Sequence, residues 1–514
     1  MQKKPWFSSV LRSGLFVPIV LAFLKLTIHL LANGGYGYFR DELYYIACSG
    51  KLDFGYVDHP PLVALATKLS RLLLGDSLFS LRLFPAIAGA LVVLLTGLIV
   101  RELGGKKFAQ ALACLAVIIS PVFLVTGNHM SMNVFDHLFW ALSALLLIRI
   151  LRTKSTKLWI ALGIVLGVGL QNKHSIFFFG FGLLVGLMLS SARKHLFTLE
   201  MWLGLAVAFL IFLPHLIWQF IHGFPSVEFI RNASLYKNLS LSPQEFLLGQ
   251  IIEMHVFLFP LLLLGLVHFL FLKPAKPYRV FGWMYISIFG LFILTSAKTY
   301  YIAPLYPMMF AGGAVLFEII IERWSLSWLK PATLAFLCGG GLLSAPMALP
   351  ILPVETFIKY AEYLELSAPR SEDHETGPLP QHFADMFGWE ELTRSVSDVY
   401  NDLPPRDQGQ CGIFAQNYGE AGAIDFFGRK YGLPEAVSGH NNYWIWGPRH
   451  YTGEIMIIIG GTEADYERIY ESVEQVGLFM HDYVMPYENN LPLFVCRGLK
   501  VSMEELWPEV KHYE

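Results

Sequence analysis

The chain has 514 residues, of which 54% are hydrophobic and only 15% are charged. Soluble domains carry about 25% charged residues, so this composition indicates a membrane protein. The formal net charge of −2 excludes a basic nucleic-acid-binding protein, and five cysteines are too few for a disulfide scaffold. Aromatic residues make up 15% of the chain, which excludes a disordered or low-complexity protein.

Apolar runs long enough to cross a bilayer, roughly 20 residues each, recur along the first two thirds of the chain. They predict a polytopic α-helical membrane protein with about eleven transmembrane helices. The expected spans are 14–32, 82–100, 108–126, 131–150, 158–171, 175–191, 200–221, 246–272, 280–296, 300–321 and 331–350.

The basic residues of the short loops predict the orientation, because such residues favour the cytoplasmic side. Every second loop is basic, and an odd number of spans places all of these loops on one side. They contain Lys3, Lys4, Arg12, Arg101, Lys106, Lys107, Arg149, Arg152, Lys154, Lys157, Arg193, Lys194, Lys273, Lys276, Arg279, Arg323 and Lys330. We therefore expect a multi-pass protein of the inner (cytoplasmic) membrane with its N-terminus inside and its C-terminus outside. The start of the chain also suits a signal peptide, but no A-x-A-like cleavage site follows.

The composition changes after residue 350, where charged residues, Gly and Pro become frequent. This change predicts a transmembrane domain at 1–350 and a soluble α/β domain at 351–514 on the outer side. The expected strands are Gly412 to Ala415, Glu454 to Ile459 and Leu493 to Val495, and the expected helices are 381–400, 419–430 and 463–475.

The first outer loop, residues 33–81, is expected to carry two short amphipathic helices along the membrane surface. Asp41 and Glu42 follow the first span, and Asp58 and His59 precede two prolines. A carboxylate where water meets lipid is poorly solvated, which suits a general base. The alternative is that Asp41 caps the next helix and Asp58 starts a turn.

An acidic pair followed by Asp58-His59-Pro60-Pro61-Leu62, in a chain with this many spans, resembles the GT-C type membrane glycosyltransferases. The resemblance is to glycosyltransferase family 39, which includes dolichyl-phosphate-mannose protein mannosyltransferases, and to the related lipid A aminoarabinose transferases. It implies that Asp41, with Glu42 beside it, is the catalytic base. It also implies that Asp58 holds a divalent cation or positions the donor phosphate. His59 stands where the aminoarabinose transferases have lysine, and would contact the phosphate or bind metal.

Asp136 begins the fourth predicted span. An ionised aspartate at the centre of a membrane helix costs about 2.5–3.5 kcal/mol on insertion scales, so such residues face the protein interior and are usually functional. The resemblance places a family aspartate here, near the active cavity. The alternative is that Asp136 lies at the interface and caps the helix.

Lys298 and Tyr301 match a family segment of the form K-x-x-Y-x-x-P-x-x-P at the outer end of a late span. The resemblance implies that they bind the donor phosphate, which a lysine neutralises as a point charge. The alternative is that Lys298 extends to the lipid headgroups, although this leaves the Tyr and Pro spacing unexplained.

The second outer loop, about 222–245, contains Arg231, which we expect to contact the donor phosphate. Phe229 stands where the aminoarabinose transferases have a histidine proposed as a metal ligand, so His255 is the replacement candidate, with Glu253 nearby. An interfacial pair is the alternative. Lys173 and His174, at the outer end of the fifth span, either bind an anion or anchor the interface.

Two features of the outer domain have more than one interpretation. Residues 417–423 follow a strand and precede a helix but lack G-x-G-x-x-G and G-K-[ST], so tight helix packing is favoured over phosphate binding. Cys411 and Cys496 share an oxidising compartment and could pair.

The sequence therefore predicts a glycosyltransferase that uses a polyprenyl-phosphate sugar and inverts the anomeric centre at the outer face of the membrane. The acceptor is a hydroxyl of a lipid, glycan or protein, and the other expected partners are membrane lipids, with no nucleic acid. A divalent cation is the candidate cofactor, and no nucleotide cofactor is expected. The alternatives are a polyprenyl-linked lipid transporter or flippase, against which the chain shows no repeated halves, and a membrane-anchored binding protein.

Overall fold

The computed structural model describes residues 14–153, 155, 157–365 and 372–514. The predicted cytoplasmic residues Lys3, Lys4, Arg12 and Lys154 lie outside these described residues. The described chain forms two compact units, which we call the helical unit and the mixed unit. The helical unit contains the described residues of 14–34, 79–217 and 239–365, and the mixed unit contains residues 35–78, 218–238 and 372–514.

The helical unit consists of apolar helices joined by short turns, and several of the helices have a proline in their first turn, where no backbone N–H is needed. Its α-helices are Phe16–Ala32, Leu78–Glu102, Lys107–Ile119, Pro121–Thr126, Met132–Thr153, Lys157–Leu170, Ile176–Met188, Leu199–Ile221, Pro243–Met254, Phe259–Phe271, Arg279–Leu294, Tyr306–Arg323, Leu329–Ala348 and Val354–Tyr363. Its 3₁₀ turns are Ser191–Phe197, Val256–Leu258, Lys276–Tyr278 and Thr299–Leu305.

Each of the eleven predicted spans coincides with a helix or with two successive helices of the described chain. Six of these helices are long and apolar enough to cross a membrane, and two further pairs qualify as bent spans, with bends of 114° and 97°. Shorter apolar helices account for the remaining segments: Phe16–Ala32, Lys107–Ile119 and Lys157–Leu170. The predicted polytopic helical architecture is confirmed.

Glycines allow two of these helices to approach closely. A Cβ atom on Gly265 would collide with the main-chain carbonyl of Met309, and one on Gly313 would collide with that of Leu261. Small residues at such crossings let helix backbones meet in lipid, where dispersion contacts replace the hydrophobic effect. This packing fixes helix Tyr306–Arg323, which directly follows the Lys298 segment.

The mixed unit contains a five-stranded sheet with helices around it. Its strands are β1 (Cys411–Phe414), β2 (Ala436–Val437), β3 (Ile455–Ile459), β4 (Tyr470–Phe479) and β5 (Leu491–Leu499), in the spatial order β2-β1-β3-β5-β4. β1 pairs in parallel with β2 and β3, whereas β5 runs antiparallel to β3 and β4. Its helical segments are Arg40–Gly50, Leu62–Leu74, Pro225–Asn232, Ala233–Lys237, Gln381–Ala384, Trp389–Asp402, Pro405–Gln408, Tyr418–Phe427, Gly428–Tyr431, Asn442–Ile445, Glu463–Glu467, Pro486–Glu488 and Met503–Leu506.

The expected helix at 463–475 is wrong in its second half. The helix ends at Glu467, and β4 begins at Tyr470. Most side chains of β4 are at least partly exposed, so the segment looked polar enough for a surface helix, but pairing with the buried strand β5 decides its conformation.

The structure does not pair Cys411 with Cys496, and both are free thiols. β3 lies between β1 and β5, so two inter-strand spacings of about 4.8 Å separate the cysteines. Cys411 is opposite Ile455 whereas Cys496 is opposite Met456, so the two side chains also point to opposite faces of the sheet. A disulfide requires Cα atoms within about 7 Å.

The first outer loop was expected to belong to the domain 1–350, but its residues 35–78 form part of the mixed unit together with residues 372–514. The backbone N–H of Val57 donates to Asn442 Oδ1 at 2.6 Å, and Asn442 is buried. Contacts of this kind, between residues far apart in the sequence, place the candidate carboxylates within the C-terminal fold.

Candidate active site

Asp41 and Glu42 occupy the first turn of helix Arg40–Gly50 but have different environments. Glu42 is fully buried, and its Oε2 accepts the N–H of Phe39, the residue before the helix, at 2.9 Å. Glu42 is therefore the capping residue, a role that the sequence had offered to Asp41. The Asp41 side chain retains 32% of its accessible surface, so it is open to a reacting group.

Two tyrosine hydroxyls hold the two candidate aspartates. Tyr418 donates to Asp41 Oδ1 at 2.9 Å, and Tyr44 donates to Asp58 Oδ1 at 2.9 Å. The rings of Tyr44 and Tyr418 lie 4.7 Å apart with an interplanar angle of 30°. Burial raises the pKa of both tyrosines well above the usual value, so both hydroxyls stay protonated and act as donors. Burial also raises the pKa of Asp58.

Arg40 supports the turn that carries Asp41. Its Nη1 donates to the Tyr487 hydroxyl at 2.7 Å, its Nη2 lies 3.9 Å from Asp385 Oδ2, and its Nε lies 4.0 Å from Asp41 Oδ1. Asp385 is buried, which raises the pKa of its carboxyl to about 7 although Arg40 favours the charged form. Arg40 is thus shared among three oxygens and neutralises Asp41 only in part.

Helix Arg40–Gly50 packs on helix Tyr418–Phe427 through two glycines. A Cβ atom on Gly422 would lie 3.0 Å from the main-chain carbonyl of Leu43, and one on Gly419 would press on the Arg40 side chain. The close approach brings Tyr418 within reach of Asp41. The first-turn N–H groups of Gly419 and Glu420 donate to Asn417 Oδ1 at 2.8 and 3.1 Å, so this segment is a capped, tightly packed helix start.

His59 is surrounded by protein atoms. It is fully buried, its Nδ1 lies 2.8 Å from Pro60 O, and its Nε2 lies 3.9 Å from Cys48 Sγ. Its ring also stacks on Tyr56 at 4.6 Å. Both ring nitrogens therefore face protein atoms, which argues against the expected contacts of His59 with a phosphate or a metal.

A second polar cluster lies in the helical unit around Lys173 and Asp136. Lys173 Nζ donates to Asn133 Oδ1 at 2.6 Å and lies 4.9 Å from the ring centre of Tyr301 and 5.4 Å from that of Tyr300. Asp136 is 2% exposed and its Oδ1 accepts the Ser175 hydroxyl at 2.6 Å. Because the helix starts at Met132, Asp136 lies in its second turn and does not cap it.

Lys298 immediately precedes the 3₁₀ turn Thr299–Leu305, which carries Tyr301. The turn is anchored by Gln250, whose Nε2 donates to Thr299 O at 2.5 Å, and by a hydrogen bond from the Thr299 hydroxyl to Glu253. Lys298 is half-buried at this position. The family segment therefore brings Tyr301 to Lys173 through an ordered turn.

The remaining predicted residues are more dispersed. Arg231 is exposed on helix Pro225–Asn232 of the mixed unit. His255 belongs to the helical unit, at the bend between Pro243–Met254 and Val256–Phe271, and its Nδ1 accepts the Phe257 N–H at 3.3 Å. Among the residues that the structure describes, no three His, Cys, Asp or Glu side chains are grouped to hold a metal ion. Asp58 and His59 belong to the mixed unit and His255 to the helical unit, and in the described part of the chain they are not grouped as metal ligands.

Residues 58–218 match the family model for dolichyl-phosphate-mannose-protein mannosyltransferases. The lipid A galacturonosyltransferase RgtD of Rhizobium johnstonii is 27% identical over 237 residues, covering 45% of this chain and 48% of RgtD. The match thus spans about half the length of that curated relative.

The crystal structure of ArnT from Cupriavidus metallidurans bound to undecaprenyl phosphate gives a TM-score of 0.61 at 14% identity, covering 95% of this chain and 98% of ArnT. The apo structure of the same protein gives 0.59 at 13% identity, with the same coverage. The chain has the GT-C fold. The resemblance inferred from the first outer loop is therefore confirmed, and the GT-C architecture extends over nearly the whole chain.

The sequence indicates only part of these clusters. Lys173 is an anion-binding candidate from the sequence, but its grouping with Asn133 and Tyr301 depends on three segments that meet only in the fold. Tyr418 is the residue that sequence reasoning missed. It is 377 residues away from Asp41, and no local pattern reports that contact.

Proposed function

We propose that this GT-C protein transfers a sugar from a polyprenyl-phosphate donor to an acceptor hydroxyl at the outer face of the bacterial cytoplasmic membrane. The observation that carries this proposal is Asp41, a partly exposed carboxylate that one tyrosine hydroxyl orients. The similarity to the lipid A galacturonosyltransferase RgtD favours an acceptor on a lipid A-type glycolipid. The basic short loops favour the cytoplasmic side for the opposite ends of the helices.

Asp41 is the proposed general base. Tyr418 donates to Oδ1, which fixes the carboxylate and leaves Oδ2 for the acceptor. In the reaction, Asp41 Oδ2 takes the proton of the acceptor hydroxyl while the oxygen of that hydroxyl attacks the anomeric carbon of the donor sugar. The bond between that carbon and the phosphate oxygen breaks, and the polyprenyl phosphate leaves with the electron pair. Attack opposite the leaving group inverts the anomeric centre.

Asp58 is the second aspartate of the proposed site. Its carboxylate accepts a hydrogen bond from Tyr44, whose ring packs on that of Tyr418, so the two tyrosines link the two aspartates. Burial raises the pKa of Asp58, and the Tyr44 hydroxyl donates to its carboxylate. We assign Asp58 to orientation of the loop and the acceptor, and Glu42 to the helix cap.

The polar cluster around Lys173 and Asp136, which we call the lysine cluster, is the proposed phosphate site. Lys173 is held by a neutral amide and two aromatic faces, so its positive charge is available to an anion. Tyr301 and Lys298 come from the adjoining turn, and Asp136 orients Ser175 beside the lysine. Arg231, exposed in the mixed unit, is retained as a further candidate for the donor.

The test is a transfer assay with the full-length protein in liposomes. Polyprenyl-phosphate sugars are supplied as donors with a lipid A-containing membrane extract, and release of polyprenyl phosphate is measured for wild type, Asp41→Asn and Asp76→Asn. Asp76 is a matched control, because it is a surface aspartate paired with Arg71 in the same unit. Loss of a general base is expected to lower the rate of Asp41→Asn by about 10²–10⁴-fold, with Asp76→Asn unchanged.

Equal rates for all three proteins would reject Asp41 as the base while leaving the transferase intact. If wild type consumed no donor but moved the lipid across the vesicle membrane, the transferase proposal itself would be wrong. Comparable folding of the variants is checked by gel filtration and by thermal melting.

A further inference from the structure

A basic cleft lies between two loops of the helical unit. The 3₁₀ turn Ser191–Phe197 supplies Lys194 and the turn region 273–277 supplies Lys273 and Lys276. The Ser191 hydroxyl donates to Lys276 O at 3.5 Å and joins the two turns. The cleft has a volume of about 470 Å³, within the range of about 300–1,000 Å³ that small-ligand sites occupy.

The three lysines are not neutralised by the protein. None of them has a carboxylate within ion-pair distance among the described residues, and no carboxylate lines the cleft. Other loops that were predicted to lie on the same side differ. There, Arg149 and Arg152 pair with Glu102, and Lys106 and Lys330 pair with Glu322. Gathering three like charges in one concavity is unfavourable unless an anion joins them.

The chain beside the cleft is apolar and exposed. Phe197 and Phe271, which end the two elements that lead into the cleft, are 87% and 72% exposed, and Leu199 is 69% exposed. These residues lie at the ends of apolar helices, where a membrane protein meets the headgroup region. A bound molecule with an anionic head and apolar chains would cover both the lysines and these side chains.

We propose that this cleft binds the phosphate headgroup of an anionic phospholipid. Lysine ammonium groups bind phosphate as point charges, and basic pockets between membrane helices on the cytoplasmic side bind anionic headgroups. Free phosphate shares the charge but cannot cover Phe197 and Phe271. The bound lipid cross-links the two loops and stabilises the helices that they join. This inference is independent of the proposed transferase activity.

The test uses the full-length protein in detergent with three probes: phosphatidylglycerol, phosphatidylcholine and inorganic phosphate. Lipid retention is measured by native mass spectrometry and the apparent Tm by intrinsic fluorescence. The variant K194Q/K273Q/K276Q removes the basic cleft. The matched control R101Q/K107Q/R323Q removes the same charge from exposed residues of other loops on the predicted cytoplasmic side.

Phosphatidylglycerol is expected to remain bound to wild type and the control and to raise their apparent Tm, with at least tenfold weaker retention by the cleft variant. Phosphatidylcholine should give no such difference. Equal loss in both triple variants would mean that general surface charge attracts the lipid, and would overturn the site. If inorganic phosphate alone gave the same stabilisation, the cleft would be a free-anion site and the phospholipid assignment would be wrong. If the cleft variant melts without added lipid at the wild-type temperature, a folding defect is excluded.

Discussion

The carboxylate cluster of the mixed unit and the lysine cluster of the helical unit hold charges of opposite sign in a similar way. Asp41 accepts from the neutral hydroxyl of Tyr418, and Lys173 donates to the neutral amide of Asn133. Arg40 is different: it has a buried acidic partner, Asp385, and a tyrosine partner, and it is only 9% exposed. A neutral partner orients a charged group without cancelling its charge, whereas an oppositely charged partner neutralises the charge in a structural ion pair.

This difference separates residues suited to chemistry from residues that support them. Asp41 and Lys173 can still respond to a substrate, because the hydrogen-bond partner of each is neutral. Arg40 lies 4.0 Å from Asp41 Oδ1 but is shared with Asp385 and Tyr487, so it neutralises Asp41 only in part. On this criterion, Asp41 and Lys173 are the active groups, and Arg40 and Glu42 are structural. The following predictions test that division, starting with the largest expected effect.

Removal of the Lys173 charge should weaken binding of the donor more than it slows the chemical step. Lys173→Gln is expected to raise the KM for the polyprenyl-phosphate sugar by about 10–100-fold, since a hydrogen bond to a charged group contributes about 1.5–3 kcal/mol. Steady-state kinetics with varied donor checks this, with Lys107→Gln as an exposed lysine control. A fall in kcat at unchanged KM would contradict the assignment of Lys173 to the donor phosphate.

Removal of the Tyr418 hydroxyl should slow transfer. Tyr418→Phe keeps the ring packed on Tyr44 but removes the hydroxyl that orients the Asp41 carboxylate. We expect about a tenfold loss of kcat/KM, because a hydrogen bond to a charged group contributes about 1.5–3 kcal/mol. The measurement is kcat/KM for the variant and wild type at one pH.

The matched control for this change is Tyr443→Phe. Tyr443 is also buried and donates to an aspartate of the same unit, Asp425, at 2.9 Å. Tyr443→Phe should leave kcat/KM close to the wild-type value. Equal losses in both variants would indicate that Tyr418 has a structural role only.

The smallest effect is expected on stability. Burial raises the pKa of Asp385 to about 7, so its carboxyl is protonated in the folded protein where the unfolded chain has already lost the proton. The stability linked to this proton is present below about pH 4 and is lost as the pH rises through about 7. Asp385→Asn should therefore flatten the decline in apparent Tm between pH 5 and 8, by a few degrees.

Thermal melting of the detergent-solubilised protein across this pH range measures the effect. Asp76→Asn is the control, because Arg71 lowers the pKa of Asp76 and its titration lies below this window. The proposed role of burial at Asp385 would be rejected if both variants showed the wild-type slope.

Much of the helical architecture could be predicted from the sequence. Each expected apolar span coincides with one or two helices, because about 20 apolar residues satisfy both the backbone and the bilayer. Bends were not predicted: the segment expected at 246–272 is broken at His255, which has a positive φ of 88°. A hydropathy pattern reports length and composition, and it does not report where a span bends.

The candidate site was only partly predictable. Asp41 and Asp58 were predicted from the motif of the first outer loop and its family resemblance, and Asp136 also because an ionised residue in a membrane helix is costly. His59 carried the same signal but is a buried packing residue, since its tautomer and partners depend on Pro60 and Cys48 in the folded loop. The sequence shows which charged groups are present, but only the contacts in the folded protein show whether another residue neutralises them.

The sequence by itself determined the membrane architecture, the family resemblance and the carboxylates of the first outer loop, because these depend on local composition and short motifs. Tertiary structure decided that this loop joins the C-terminal fold, that β4 is a strand and that Tyr418 holds Asp41. Each of these outcomes depends on residues far apart in the chain. Strand pairing, close helix packing at Gly422 and a hydrogen bond across 377 positions are long-range interactions, which local patterns do not encode.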